Sequence, residues 1–228
     1  MIEAVIFDLD GVLVDSEHVW DVVREALARE RGGRWHHGAQ ADMMGMNSTE
    51  WSAYMHDVIG LPESPEEINA EVVRRMEARY AEHLPLITGA VEAVGRLSGA
   101  FRLGLASSSN RPLIDAVLAH AGIADLFEVT ASSEEVERGK PAPDVFLEAA
   151  QRLGVAPAQC AAIEDSGNGL RAAHAAGMRV IAIPNRRYPP PAAVLALGDV
   201  VLDSLAELTP AVVAERGGPA GPPSSSPL

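Results

Sequence analysis

Two pairs of acidic residues stand directly after short apolar runs. Asp8-Leu9-Asp10-Gly11 follows Ala4 to Phe7, and Glu164-Asp165 follows Cys160 to Ile163. If the two runs are parallel strands of one sheet, both pairs lie on one edge of it and up to four carboxylates converge. Repulsion among them disfavours ionisation unless a cation offsets it. A donor set made only of oxygens suits a hard ion, and Mg²⁺ binds through a few carboxylates together with water and substrate phosphate. Each pair also has a plainer reading. Asp-x-Asp-Gly is a common solvated turn, and Glu164 is an acid at a helix start, where the macrodipole favours it.

Two more clusters could meet the same edge. In Leu105-Ala106-Ser107-Ser108-Ser109-Asn110, hydroxyls and backbone N–H groups could cradle a phosphoryl oxygen where a helix begins, or could simply cap that helix. Gly139-Lys140-Pro141 carries the only lysine of the chain, set between a glycine and a proline ahead of a helical stretch. A lone cation in that turn would balance part of the acidic charge.

The elements that must position these residues can be read from hydropathy. Ala4 to Phe7 is continuous and apolar, as in a strand buried on both faces. Similar runs recur at Phe101 to Ala106, Leu126 to Thr130, Cys160 to Ile163 and Arg179 to Ile183, with a weaker one at Val200 to Leu202. Helical stretches such as Asn110 to Ala121, Pro143 to Leu153 and Gly167 to Ala176 alternate with them. Strand–helix alternation of this kind predicts an α/β fold, a Rossmann-like three-layer parallel sheet, whose ligands gather at the carboxyl ends of the strands. One interval breaks the rhythm. From Asp15 to about Pro85 no strand is evident, Val19, Val22, Val23, Ala26 and Leu27 repeat at helical spacing, and Pro65, Glu66 and Glu67 suit a first helical turn. The expected organisation is a core of residues 1–14 and 86–216, an α-helical cap inserted at 15–85 above the Asp8 end of the sheet, and a tail. Ten of the last twelve residues, 217–228, are Gly, Pro or Ser, a composition expected to stay disordered.

Composition sets limits on partners. With 228 residues, 47% of them apolar, the chain can bury a real core. Its 18 basic and 32 acidic residues leave a net charge of −14, and the isoelectric point is about 4.8. A nucleic-acid backbone would be repelled. Cys160 is the single cysteine, so no intrachain disulfide can form. The opening residues lack the basic and apolar regions of a signal peptide, and no apolar stretch reaches the ~18 residues of a spanning helix. A cytoplasmic protein is expected, with no membrane partner, as a monomer or weak homo-oligomer.

Taken together, these segments resemble the haloacid-dehalogenase-like phosphohydrolases, in their helical-cap subclass, over nearly the whole chain from Ile2 to about Leu208. FDLDGVLVDSE is similar to the first family motif, LASSSN to the second, GKPAPDVF to the third and IEDSGNG to the fourth. The resemblance implies that Asp8 is a nucleophile that takes the phosphoryl group as an aspartyl-phosphate. Asp10 would protonate the leaving alcohol and then activate water. It further implies that Ser107, with Ser108 beside it, and Lys140 hold the transferring phosphoryl oxygens. Mg²⁺ would be held by Asp8, the Asp10 backbone carbonyl and Asp165, with Glu164 binding directly or through water. The second aspartate of the first motif argues against the dehalogenase branch.

Within that family the cap sets specificity. Asp15-Ser16-Glu17-His18-Val19-Trp20 resembles the first cap helix of phosphatases acting on hexose or hexitol phosphates. Trp20 would then form an apolar wall for substrate, or else join the core stripe of its helix. His18 either touches substrate or sits on a solvated turn. The loop Met44-Gly45-Met46-Asn47-Ser48 is uncharged, unlike the basic loop of β-phosphoglucomutase-like enzymes, so Gly45 and Asn47 are candidate substrate neighbours without a second phosphate site. The reading is a Mg²⁺-dependent phosphatase of small phosphorylated metabolites, sugar or polyol phosphates foremost. A phosphosugar mutase, a phosphoglycolate phosphatase and a non-catalytic binding module of the same fold are the alternatives.

Overall fold

In a computed structural model, residues 1–43, 46–186 and 189–215 are described. The chain runs β1 (Ala4–Phe7), α1 (Glu17–Glu30), α2 (Ala39–Met43), α3 (Ser48–Tyr54), α4 (Pro65–Glu82) and α5 (Ala90–Ser98). It continues through β2 (Arg102–Ser107), α6 (Arg111–Ala121), β3 (Val129–Ser132), α7 (Asp144–Leu153), β4 (Cys160–Glu164) and α8 (Gly167–Ala175). The last elements are β5 (Arg179–Ala182), α9 (Ala192–Leu195), β6 (Val200–Val201) and α10 (Pro210–Ala214). The six strands form one parallel sheet in the order β3-β2-β1-β4-β5-β6.

Alternation along β1 shows how the layers form. Val5 and Phe7 point into one apolar core, built with Leu113, Ile114 and Val117 of α6, while Ala4 and Ile6 point into a second, built with Phe146 of α7 and Leu170 of α8. Every β1 side chain is therefore buried, which is why this strand reads as an unbroken apolar run. Chain order reverses between β1 and β4, leaving a crevice at their carboxyl ends.

Helices α1 to α4 all lie between β1 and β2, and among the described residues of that interval there is no strand. Helix α4 starts as its sequence predicts. Pro65 sits in the first turn, the Ser64 hydroxyl accepts from Glu67 N–H at 3.3 Å, and Ser64 N–H donates to the Glu67 carboxylate at 2.9 Å. Such a reciprocal cap stabilises a helix by about 1 kcal/mol. Where the chain leaves the sheet and returns to it the two segments lie side by side. Asp15 N–H donates to Pro85 O at 2.9 Å and Ile87 N–H to Leu13 O at 2.9 Å, with Val14 bridged antiparallel to Leu86.

One strand differs from its expected position. The run from Leu126 to Thr130 is not a strand throughout: Ala124–Leu126 forms a 3₁₀ turn and β3 begins at Val129. The apolar side chains of Ile123 and Phe127 are buried from this turn, and Phe127 meets Phe7 edge to face at 6.0 Å. Tertiary packing of a turn thus imitates a strand's hydropathy. Helix α5 carries an apolar face that the alternation of longer runs does not single out. Gly45 and residues 217–228 lie outside the described residues. Among the described residues, no helix is long and apolar enough to cross a membrane.

Candidate active site

Strand register brings the two acidic pairs together. Phe7 is paired with Ile163, so the residues that follow, Asp8 and Glu164, emerge next to each other, and Asp8 N–H extends the ladder by donating to Ile163 O at 3.0 Å. Lys140, in the turn before α7, lies between them. Its Nζ is 2.7 Å from Asp8 Oδ1 and 2.6 Å from Glu164 Oε1, and all three side chains are buried. The other Glu164 oxygen accepts from the N–H groups of Asp165 and Ser166, each at 2.9 Å, and from the Ser166 hydroxyl at 3.1 Å. Glu164 therefore both pairs the lysine and fixes the turn into α8.

Two glycines make this closeness possible. A Cβ at Gly169 would overlap the Glu164 carboxylate, and one at Gly11 would overlap the Asp165 carboxylate. Gly11 also holds φ at +82°, a left-handed backbone that side chains disfavour.

Burial in a poorly solvated crevice sets the electrostatics. It pushes the Asp8 carboxyl up to about 8, against the pull of Lys140 and with the help of Glu164 and Asp10. Asp165 is likewise raised well above the usual carboxylate range by burial, then by Glu164 and Asp8. Burial alone would lower Lys140, but its two carboxylate partners outweigh that effect and hold it raised. One lysine thus faces the carboxylates of Asp8, Asp10, Glu164 and Asp165, an imbalance that further positive charge would relieve. The donor set fits a divalent cation. Asp8, Glu164 and Asp165 can each offer an oxygen within 4.8 Å of the others, and Asp165 Oδ1 is buried with no hydrogen-bond partner.

Asp10 is held separately. One of its carboxylate oxygens accepts from the Ser16 hydroxyl at 2.5 Å, and the other from the Ser109 hydroxyl at 2.6 Å and, at 3.4 Å, from Ser107. Ser107, at the end of β2, in turn accepts from Ser109 N–H at 3.0 Å. Asp10, Glu17 and Ser108 are shared by two adjoining cavities. The first, of about 220 Å³, is also lined by Asp8, Lys140 and Asp165. The second, of about 60 Å³, is lined instead by Trp20, Arg24 and Trp51 from the inserted helices. Asp10 stands at the wall between them.

The remaining candidates lie elsewhere. His18 is exposed and lines a different cavity with Asp15 and Arg186, on the side where the inserted helices join the sheet. Asn47 caps α3 by accepting from Glu50 N–H at 3.0 Å, and its side chain lies over Gly139, next to Lys140. The inserted helices also bond to the sheet layer: Ser48 donates to Glu134 at 3.0 Å, and Asn110 donates to Glu134 at 2.7 Å and to Asn69 at 3.0 Å.

Sequence reasoning missed Ser16 and Ser109 as partners of Asp10, Arg24 and Trp51 as cavity residues, and Gln40 as the amide that joins Arg24 to Glu17. The signal for Arg24 was its spacing. It falls four residues after Trp20 and seven after Glu17, on the inward face of α1, where a cation is out of place.

Comparison with known proteins points one way. A sequence model described as haloacid dehalogenase-like hydrolase matches residues 2–177. Hexitol phosphatase B of Escherichia coli (strain K12) is 35% identical over 226 residues, covering 90% of this chain and 94% of that protein. The bifunctional riboflavin kinase/FMN phosphatase of Arabidopsis thaliana is 33% identical over 90% of this chain, which spans 54% of that longer protein. Among solved structures, a mutant of CbbY from Rhodobacter sphaeroides in complex with xylulose-1,5-bisphosphate shares the fold with a TM-score of 0.79 at 28% identity, over 91% of this chain and 96% of that one.

Proposed function

We propose, from the premise that this chain belongs to the haloacid dehalogenase-like hydrolases, that it is a Mg²⁺-dependent phosphatase of sugar or polyol phosphates acting through an aspartyl-phosphate on Asp8. The observation that carries this reading is the Asp8–Lys140–Glu164 bridge at the mouth of the crevice, with Asp10 set between two cavities. The phosphoryl group would occupy the cavity of Asp8 and Lys140, and the leaving alcohol would extend toward the inserted helices.

In the first step an Asp8 carboxylate oxygen attacks phosphorus, the bond to the leaving oxygen breaks, and Asp10 gives that oxygen its proton. In the second, Asp10 takes a proton from water, whose oxygen attacks phosphorus and frees Asp8 and inorganic phosphate. Lys140 and the Ser107–Ser108 segment meet the negative charge on the phosphoryl oxygens. Ser16 and Ser109 keep Asp10 oriented through both steps. Asp8 and Asp165 would hold Mg²⁺, with Glu164 close enough to join them. The ion would supply the charge that lets an anionic carboxylate approach an anionic ester. Residues 15–85 are read as the cap and the remainder to 216 as the core.

Phosphate release from a panel of sugar and polyol phosphates, with Mg²⁺ and with EDTA, tests the reading. Metal-dependent release is expected. An Asp8→Asn protein that turns over at the wild-type rate would overturn the mechanism, and conversion of β-glucose 1-phosphate to glucose 6-phosphate without phosphate release would make the chain a mutase.

A further inference from the structure

The cavity beyond Asp10 contains a cation that the chemistry above does not use. Arg24 is 4% exposed, and its guanidinium carbon lies 4.4 Å from the ring centroid of Trp20 and 4.6 Å from that of Trp51. The guanidinium thus packs against both indoles, whose own centroids lie 5.8 Å apart, and their π faces favour it. Gln40 accepts from Arg24 Nη1 at 3.3 Å and donates to Glu17 at 2.9 Å. Arg24 Nε is buried and has no hydrogen-bond partner, and among the described residues no carboxylate reaches ion-pair distance of this guanidinium. Burial lowers its pKa only to about 10, so it stays a cation at neutral pH.

A buried guanidinium with an unspent donor is costly unless something else takes that donor. The surroundings indicate what. Donors from Arg24, an acceptor in Glu17 and the indole faces together match a chain that alternates hydroxyls with C–H groups. A second anion fits poorly, because one guanidinium would have to outweigh the carboxylates of both Glu17 and Asp10, which line the same cavity.

We propose that Arg24, packed against Trp20 and Trp51, is a specificity-determining residue that reads leaving-group hydroxyls, so that phosphomonoesters of neutral polyols are selected over those whose leaving group carries a second anion. The assignment rests on the phosphatase reading above.

Steady-state hydrolysis of four substrates tests it: sorbitol 6-phosphate, phosphoglycolate, xylulose 1,5-bisphosphate, and acetyl phosphate, whose leaving group has no hydroxyl. The wild type is expected to prefer sorbitol 6-phosphate to phosphoglycolate and to the bisphosphate, each with a second anionic group, by at least roughly 10-fold in kcat/KM. In Arg24→Met the ratio of kcat/KM for sorbitol 6-phosphate to that for acetyl phosphate should fall by roughly 10- to 100-fold, mainly through KM. Arg24→Lys should recover part of it. If Arg24→Met fails to fold, Glu17→Gln serves instead, and should narrow the discrimination against phosphoglycolate. An unmoved ratio in Arg24→Met, or unmoved discrimination in Glu17→Gln, overturns the proposal, as does a wild type that prefers phosphoglycolate or the bisphosphate. Absence of phosphate release from all four substrates by the wild type removes the phosphatase reading as well, whereas hydrolysis with unmoved ratios removes this assignment alone.

Discussion

The two buried cations of the site are held in opposite ways. Lys140, at the sheet edge, is gripped by two carboxylates at 2.6 and 2.7 Å. Arg24, among the inserted helices, is gripped by two aromatic rings and one amide. Charge on charge fixes a geometry tightly and resists replacement of either partner, since removing one leaves a buried charge uncompensated. Ring and amide contacts hold a side chain while leaving its N–H donors for a ligand. On the proposed reading, the sheet edge does the reaction and the helical wall recognises whatever undergoes it.

The harshest test of that division is Asp8→Asn. It should lower kcat by more than ~10⁴-fold in phosphate-release assays, with the far-ultraviolet spectrum kept, because the amide is isosteric but not nucleophilic. Asp10→Asn should cost roughly 10²- to 10⁴-fold with sugar phosphates. Its first step should suffer much less with an aryl phosphate, whose leaving oxygen needs no proton; an equal loss on both substrates would deny Asp10 the acid role.

Backbone closeness at the sheet edge gives a third test. In Gly169→Ala the new methyl would force Glu164 off Lys140 and the Ser166 turn, destabilising the fold by about 1–3 kcal/mol and lowering Tm by several degrees. Gly95→Ala, exposed in α5 with open space around it, should instead be neutral or gain up to about 1 kcal/mol. Differential scanning of both proteins separates a packed edge from a free helix surface.

The two regions should also answer pH with opposite signs. Asp8 and Asp165 have raised folded-state values, so in EDTA their stabilisation is fully present below the ordinary carboxylate range and is lost as pH rises through about 8 for Asp8. In α4, hydrogen bonds from Arg74 and Arg75 hold Glu71 at about 2, so its contribution is present above the ordinary range and is lost as pH falls toward 2. Urea midpoints in EDTA should fall between pH 5 and 8, with a shallower fall in Asp8→Asn. The smallest effect belongs to Glu71→Gln, which should cost under ~1 kcal/mol at pH 7 and nothing measurable near pH 2, because the ion pairs it breaks are partly solvated.

The same contrast explains what the sequence could and could not reveal. Each acid of the sheet edge follows an apolar run within three residues, so strand and chemistry are contiguous in the chain. β1 and β4 and the residues just past them are accordingly legible, as is the run of helices between β1 and β2. The helical wall is assembled from Glu17, Trp20 and Arg24 of α1, Gln40 of α2 and Trp51 of α3. No local pattern joins them, and on α1 they fall among Val19, Val23 and Leu27, where helical periodicity reports packing only. The same blindness to tertiary context misplaces β3, since Ile123 and Phe127 are apolar for the core's sake and not for a strand's.

The side-by-side segments at Leu13 to Asp15 and Pro85 to Ile87 carry a further consequence. Because the intervening seventy or so residues depart from and rejoin the sheet at a single doorway, their length and sequence place almost no demand on strand register. Beyond Ser16, which stays beside Asp10, such a segment can vary while the strand pairing beneath it stays intact. One ancestral chemistry could in this way be passed down under many different lids, each lineage altering what is admitted without relearning how to cut it.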